Sequence, residues 1–209
     1  MKEDTWVGVL AIGVFFSFIV ILMRLIAISS RKNYENLRNL AERLGLGIGD
    51  PKPVMGFYST TDVTGEIRGK RVRLYNYTTG TSKSKTTWSA ISVAPLKNGG
   101  LTFSISRQGF GSRVKALFGV DEIKVGDEAF DREWFIQTNA PDFLAAGLLP
   151  ELQRKIQTHD GKWKLEEGEV IYSEKGSFSD RERCERFIAI ADAACDLADV
   201  AEVYAKQSS

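Results

Sequence analysis

The chain has 209 residues, 43% of them hydrophobic and 26% charged, with 28 basic against 27 acidic side chains and a net charge of +1. No global charge therefore points to nucleic acid or to acidic substrates. A single histidine and the absence of Gly-x-Ser-x-Gly, Walker and dinucleotide motifs weigh against nucleophilic hydrolysis and nucleotide chemistry, and no cofactor is expected.

Residues 6–23 run without a charge, and twelve of the eighteen are Val, Leu, Ile or Phe. A run of that length meets the requirement for a membrane-spanning helix. A helix over 5–28 would be about 36 Å long, enough to cross a hydrocarbon core of about 30 Å with some tilt. Arg24 falls near the end of the run, where its stem can snorkel to the headgroups. Ala27 and Ser29 offer a small-x-small cleavage site, but Glu3 and Asp4 beside Lys2 and the length of the run fit a secretory signal poorly, so a retained anchor is expected over 1–28. Arg24, Arg31, Lys32, Arg38 and Arg43 all follow the span, which predicts an external amino terminus and a cytoplasmic domain. Cys184 and Cys195, eleven apart on one expected helix, cannot reach each other, and free thiols suit a reducing compartment.

A juxtamembrane helix and hinge are expected over 29–53, and one soluble domain over 54–209. The helix, 33–44, has Tyr34, Leu37, Leu40 and Leu44 on one stripe and Gly45 to stop it; 47–53 reads as a turn or hinge. From 54 to 107 the hydrophobic period changes to two. Val72 and Leu74 face one way, and Arg71, Arg73, Tyr75 and Tyr77 the other. Ile91 with Val93, and Leu101, Phe103 and Ile105, repeat the pattern, and Lys-Asn-Gly-Gly at 97–100 predicts a hairpin between these two runs. The polar stretch 78–87 reads as a loop, and 111–119 as one or two helical turns. A strand is expected over 132–138, a helix from Pro141 that Pro150 kinks or restarts, and a second hairpin over 163–174. Ser179 and Glu182 suggest a capping box for a final helix whose apolar stripe is Cys184, Phe187, Ile188, Ala191, Ala194, Cys195 and Ala198. Strands and helices come in runs, which makes the class α+β, an antiparallel sheet with a long C-terminal helix.

Three groups are candidates for chemistry. His159 lies in a turn after a helix, where a cation complementing the helix end is the ordinary reading. The acidic stretch 121–131 gathers Asp121, Glu122, Asp127, Glu128 and Asp131, oxygen ligands suited to calcium or magnesium. Its spacing is not that of an EF-hand, and Asp residues beside Gly126 also shape turns; a metal-dependent activity on Asp121, Asp127 and Asp131 is the alternative to a binding domain. The third group is basic. Arg68, Lys70, Arg71, Arg73, Lys83 and Lys85 stand against Glu66 alone, with Tyr75 and Tyr77 among them. Such a surface suits anionic lipid headgroups, a membrane-protein partner or, less readily, nucleic acid, or is simply the solvated face of an antiparallel sheet.

At 126–156 the chain resembles families of uncharacterised bacterial proteins with an N-terminal membrane helix and a Gly-Asp-x-x-Phe-Asp-x-x-Phe signature. Gly126, Asp127, Phe130 and Asp131 match; Trp134 stands in place of the last Phe, with Phe135 one position later. The resemblance implies a bacterial source and a membrane anchor and brings no catalytic residue with it. The expectation is a single-pass inner-membrane protein, anchored in the bilayer through 5–28, whose cytoplasmic α+β domain binds or scaffolds.

Overall fold

The computed structural model describes residues 3–50, 53–54, 58–59, 61–81, 84–108 and 122–208, and for 3–11 the backbone alone. Its first element, α1 (Glu3–Leu44), is one uninterrupted helix. The separate juxtamembrane helix expected over 33–44 is its continuation, because nothing between 24 and 44 breaks the chain: no Pro or Gly occurs there, and Arg31–Glu35 and Arg38–Glu42 pairs support successive turns. Among the described residues this is the one helix long and apolar enough to cross a membrane. Val14, Phe15, Phe16 and Phe18 are all exposed, so among the described residues no apolar partner covers that half of the helix. The other half joins the domain through Tyr34, Leu37, Leu40 and Ala41, which are buried. Gly45, at φ +68°, ends it: Leu46 N–H donates to Ala41 O and Gly45 N–H to Glu42 O, the paired bonds of a Schellman stop.

Among the described residues, eight strands form one antiparallel sheet. They are β1 (Gly47–Ile48), β2 (Val63–Ile67), β3 (Lys70–Thr79), β4 (Thr86–Ala94), β5 (Phe103–Arg107), β6 (Trp134–Thr138), β7 (Lys162–Glu166) and β8 (Glu169–Lys175). Their order is β1-β2-β3-β4-β8-β7-β5-β6. Two-residue turns close β2–β3 at Arg68-Gly69 and β7–β8 at Glu167-Gly168, and all four residues take positive φ, as the twist of a tight hairpin requires. The expected hairpin at 97–100 is corrected. The turn forms, with Leu101 N–H bonded to Asn98 O, but β4 and β5 do not pair. The β7–β8 hairpin lies between them, and the turn instead passes the end of the last helix, where a Cβ on Gly99 would come within 2.7 Å of the Ala205 Cα.

Between β5 and β6 the chain forms α2 (Glu128–Glu133), so the strand expected from 132 begins at Trp134. Pro141 and Pro150 open α3 (Pro141–Gly147) and α4 (Pro150–Gln157), as the missing proline N–H allows at a helix start. The last helix, α5 (Arg181–Gln207), is capped by Asp180, whose carboxylate accepts from Glu182 and Arg183 N–H; the expected Ser179 cap is displaced by one residue. Cys184, Phe187, Ala191, Ala194, Cys195 and Ala198 are buried as the stripe predicted, with Ile188 at its margin. Both cysteines are free, and burial pushes their thiols up to about 12 and about 11. Alanines let α5 lie close on β4 and β8, and Phe187 packs edge-on against Phe178 at 4.7 Å and Tyr172 at 5.7 Å. Burying each such ring stabilises the domain by about 1.5–3 kcal/mol.

Candidate functional site

Alternation along β3 separates the basic residues that the sequence brings together. Lys70 shares a face with Val72 and Leu74, turns toward α5 and is only 5% exposed. Its ammonium pairs with Asp199 at 2.6 Å and Glu202 at 3.2 Å. Arg68, in the β2–β3 turn, pairs with Asp192, Asp196 and Asp199, and Lys155 from α4 binds Asp192 and Asp196 at 2.6 Å each. These cations lock the β2–β3 turn and α4 to an acidic row on α5, so Arg68 and Lys70 form no open basic surface.

That row makes stability depend on pH. Burial pulls the Asp196 and Glu202 carboxyls upward, but bonds from Lys155 and Arg68 to the first, and from Leu96 N–H and Lys70 to the second, outweigh it and hold both below their ordinary 3.8 and 4.5. A depressed folded value means stabilisation present above the ordinary value and lost as pH falls through the folded one. His159 behaves differently from its sequence reading. It is 6% exposed beside Trp163 and Tyr172, and burial lowers it below 6.5, so it is neutral in the fold and no helix-end cation. The unfolded chain takes up its proton first, so stability falls as pH drops below 6.5. Melting temperature against pH is expected to decline in two windows, the first below about 6.5 and the second below about 4. His159→Phe removes the first, and Asp196→Asn weakens the second.

The opposite face of β3 carries Arg71, Arg73, Tyr75 and Tyr77, as alternation predicted. Arg73 is tied to Asp62 at 2.7 Å and lies 4.6 Å over the Tyr75 ring. Lys85 is exposed; Lys83 and Asp121 lie outside the described residues. Asp127 caps α2 by accepting from Ala129 and Phe130 N–H, and Asp131 accepts from Val125 N–H at 2.9 Å and Gly126 N–H at 3.1 Å. Both carboxylates thus organise the turn at Gly126, whose φ is +89°.

What the sequence does not bring together is a cleft of about 910 Å³ at one end of the sheet. Strand β8 runs to Lys175, while β7 begins at Lys162 opposite Ser173, so a notch opens beside the end of β5. Register sets its walls. Tyr77, Trp88 and Lys175 stand in one cross-strand row, with the Tyr77 and Trp88 rings stacked at 6.3 Å. Tyr75, Ala90, Ser173 and Lys162 form the next, and the small side chains between leave room above them. The turn from Thr158 to Gly161, together with Ser106 and Arg107, closes the far side.

Behind the cleft is a mostly buried polar network. Tyr172 donates to Glu174 at 2.8 Å, and Glu174 accepts from Arg183 at 2.7 Å and Arg186 at 2.8 Å. Gly161 N–H donates to the Tyr172 oxygen. Burial, then the Glu174 charge, push the Tyr172 phenol far up, so it remains a donor at any physiological pH. Five cationic side chains line the cleft against two carboxylates. Arg183 and Arg186 are spoken for by Glu174, and Arg107 by Glu133 and Asp160. Lys162 and Lys175 have no ion-pair partner among the described residues. Burial, aided by neighbouring Lys164, lowers the Lys162 ammonium below its ordinary value, which is the condition an incoming anion relieves. Ser106 Oγ and His159 Nδ1, both buried, also have no hydrogen-bond partner among the described residues. The sequence signal was present in Lys162 and Lys164 alternating with Trp163 and Leu165, but only the strand order sets Lys162 and Lys175 on one notch with Trp88.

No protein-family model matches the chain, and no curated protein matches it. Among solved structures it is similar to the crystal structure of the mycobacterial trehalose monomycolate transport factor A, TtfA, with a TM-score of 0.49 and 10% sequence identity over 82% of this chain and 93% of that one.

Proposed function

We propose that the protein is a single-pass bacterial inner-membrane protein, amino terminus outside, whose cytoplasmic domain holds an anionic ligand with an apolar or aromatic portion in the cleft. The observation that carries this reading is a pair of lysines without ion-pair partners among the described residues, Lys175 beside the stacked Tyr77–Trp88 wall and Lys162 across a floor of small side chains from it. The lysines supply charge and donors to the anion, and the rings take the apolar part. The basic residues after the apolar span support the orientation.

Phenyl phosphate tests the site directly on the full chain in detergent. It is expected to raise the melting temperature and to change Trp88 emission at lower concentration than inorganic phosphate does, because a ligand bound to the folded state alone stabilises it. The Lys162→Ala, Lys175→Ala double variant is expected to lose about tenfold or more in affinity, at roughly 1 kcal/mol for each cation. Equal responses from the variant and the parent would rule the cleft out as the binding site.

A further inference from the structure

The contacts of α1 fix which end of the sheet lies toward its apolar half. Asn33 accepts from Asn76 near the end of β3, Asn36 donates to Phe178 O just after β8, and Arg43 pairs with Glu185 one turn into α5. Farther along, a Cβ on Gly65 would meet Leu46, and Gly99 lies against Ala205 near the far end of α5. Strand β3 therefore runs back along α1 toward the apolar segment, and the cleft, built from the ends of β3, β5 and β8 and the starts of β4 and β7, sits at that same end.

Simple lengths extend the argument. From Asn33 back to Ile28, the last apolar residue, is about 7.5 Å of helix, whereas the strand from Asn76 to the turn at Thr81 covers about 16 Å. The β3–β4 hairpin thus reaches the level of Ile28 even when inclined to α1 by about 60°. Lys85, just before the return strand, is exposed, as are Arg31 and Lys32 on α1 and Arg181 at the start of α5.

We propose that the cleft opens onto the bilayer surface and takes the phosphate-bearing headgroup of an anionic lipid from the leaflet that α1 enters. The phosphate sits between Lys162 and Lys175, and the glyceride portion leads past Trp88 and Tyr77 toward the membrane. A short tether suits this role, since α1 continues rigidly into the domain and holds the cleft mouth at the surface, so binding requires no diffusion of the domain and little extraction of the acyl chains.

This inference rests on the anion-binding reading of the cleft, and the experiment separates the two. The full chain is reconstituted in phosphatidylcholine nanodiscs containing phosphatidylglycerol with a photoactivatable group close to the headgroup, and cross-linked peptides are mapped by mass spectrometry. Expected are cross-links on 77–88 and 158–175 besides those on α1. The cleft cross-links fall about tenfold in the Lys162→Ala, Lys175→Ala variant, while those on α1 persist as the internal control, and a phosphatidylcholine probe of the same design labels α1 alone. Cross-links confined to α1 in the unmodified protein overturn the inference whether or not the variant folds. Loss of the cleft cross-links to millimolar inorganic phosphate also overturns it, by making a free anion the occupant. If the cleft is unlabelled by lipid yet phenyl phosphate still binds, the anion site stands and its lipid source falls; if neither binds, both fall.

Discussion

Replacing Glu174 with Ala is expected to lower the stability of the domain by about 3 kcal/mol, the cost of breaking a mostly buried ion pair. For a domain of this size that corresponds to a fall of about 6–12 °C in melting temperature. One carboxylate serves Arg183, Arg186 and the Tyr172 hydroxyl. The Glu174 and Arg183 side chains are 11% and 14% exposed, so truncation leaves a cation and a phenol without their acceptor in a place water barely reaches. Arg186 is 41% exposed and recovers much of its loss from solvent. Glu174→Gln keeps the shape and one acceptor oxygen and should lose less. A double-mutant cycle with Arg183→Leu isolates the coupling, since Arg183 also donates to Ser177 O and Lys175 O. A Glu174→Ala protein melting within 2 °C of the parent would show that the network does not hold this end of the sheet. Lys175→Ala, which removes an exposed lysine with no ion-pair partner among the described residues, should change stability by no more than about 0.5 kcal/mol.

The second large effect is expected from a single methyl group. A Cβ on Gly161 would lie 2.3–2.5 Å from the Tyr172 ring and oxygen. Tyr172 cannot retreat, because it is fully buried with Trp163 at 4.5 Å on one side and Phe187 at 5.7 Å on another. Gly161→Ala therefore forces either the turn or the ring to move, an overpacking cost of about 1–3 kcal/mol, to which the lost Gly161–Tyr172 hydrogen bond adds about 1 kcal/mol. Because the same turn leads into Lys162, affinity for phenyl phosphate should fall together with melting temperature and with the near-ultraviolet dichroism of Trp163 and Tyr172. A variant that keeps all three would mean that the turn is free to shift and that the close approach does not shape the cleft.

The strands that alternate cleanly were legible from residue types. Val72 and Leu74 against Arg71 and Arg73, the β7–β8 hairpin, and the stripe on α5 each state their own buried face, because a period of 2 or 3.6 fixes which side chains point the same way. The proline starts at 141 and 150 and the glycine stop at 45 were equally local. Some differences are local shifts, such as the cap at Asp180 and the strand start at Trp134, but those that shape the surface concern how separate elements come together. A turn sequence at 97–100 declares a turn but not which strands it joins, and a basic run declares its charge but not that an acidic row about 125 residues later faces Arg68 and Lys70. His159 reads as a cation until Trp163 and Tyr172 close around it.

By itself, then, the sequence determined an apolar helix fit to cross a membrane, an α+β domain after it, and the two faces of each regular strand, since all of these follow from the order of apolar and polar residues along a few turns or a few pleats. Strand order was decided only in three dimensions: placing β8 between β4 and β7 sets Lys175 beside Trp88 and Lys162 across a notch from both. The same assembly turned Arg68 and Lys70 inward to α5 and left Lys162 and Lys175 without an ion-pair partner among the described residues. Coulomb attraction and desolvation act over a few ångströms, so which cations were neutralised and which were left open depended on neighbours that only the folded chain supplies.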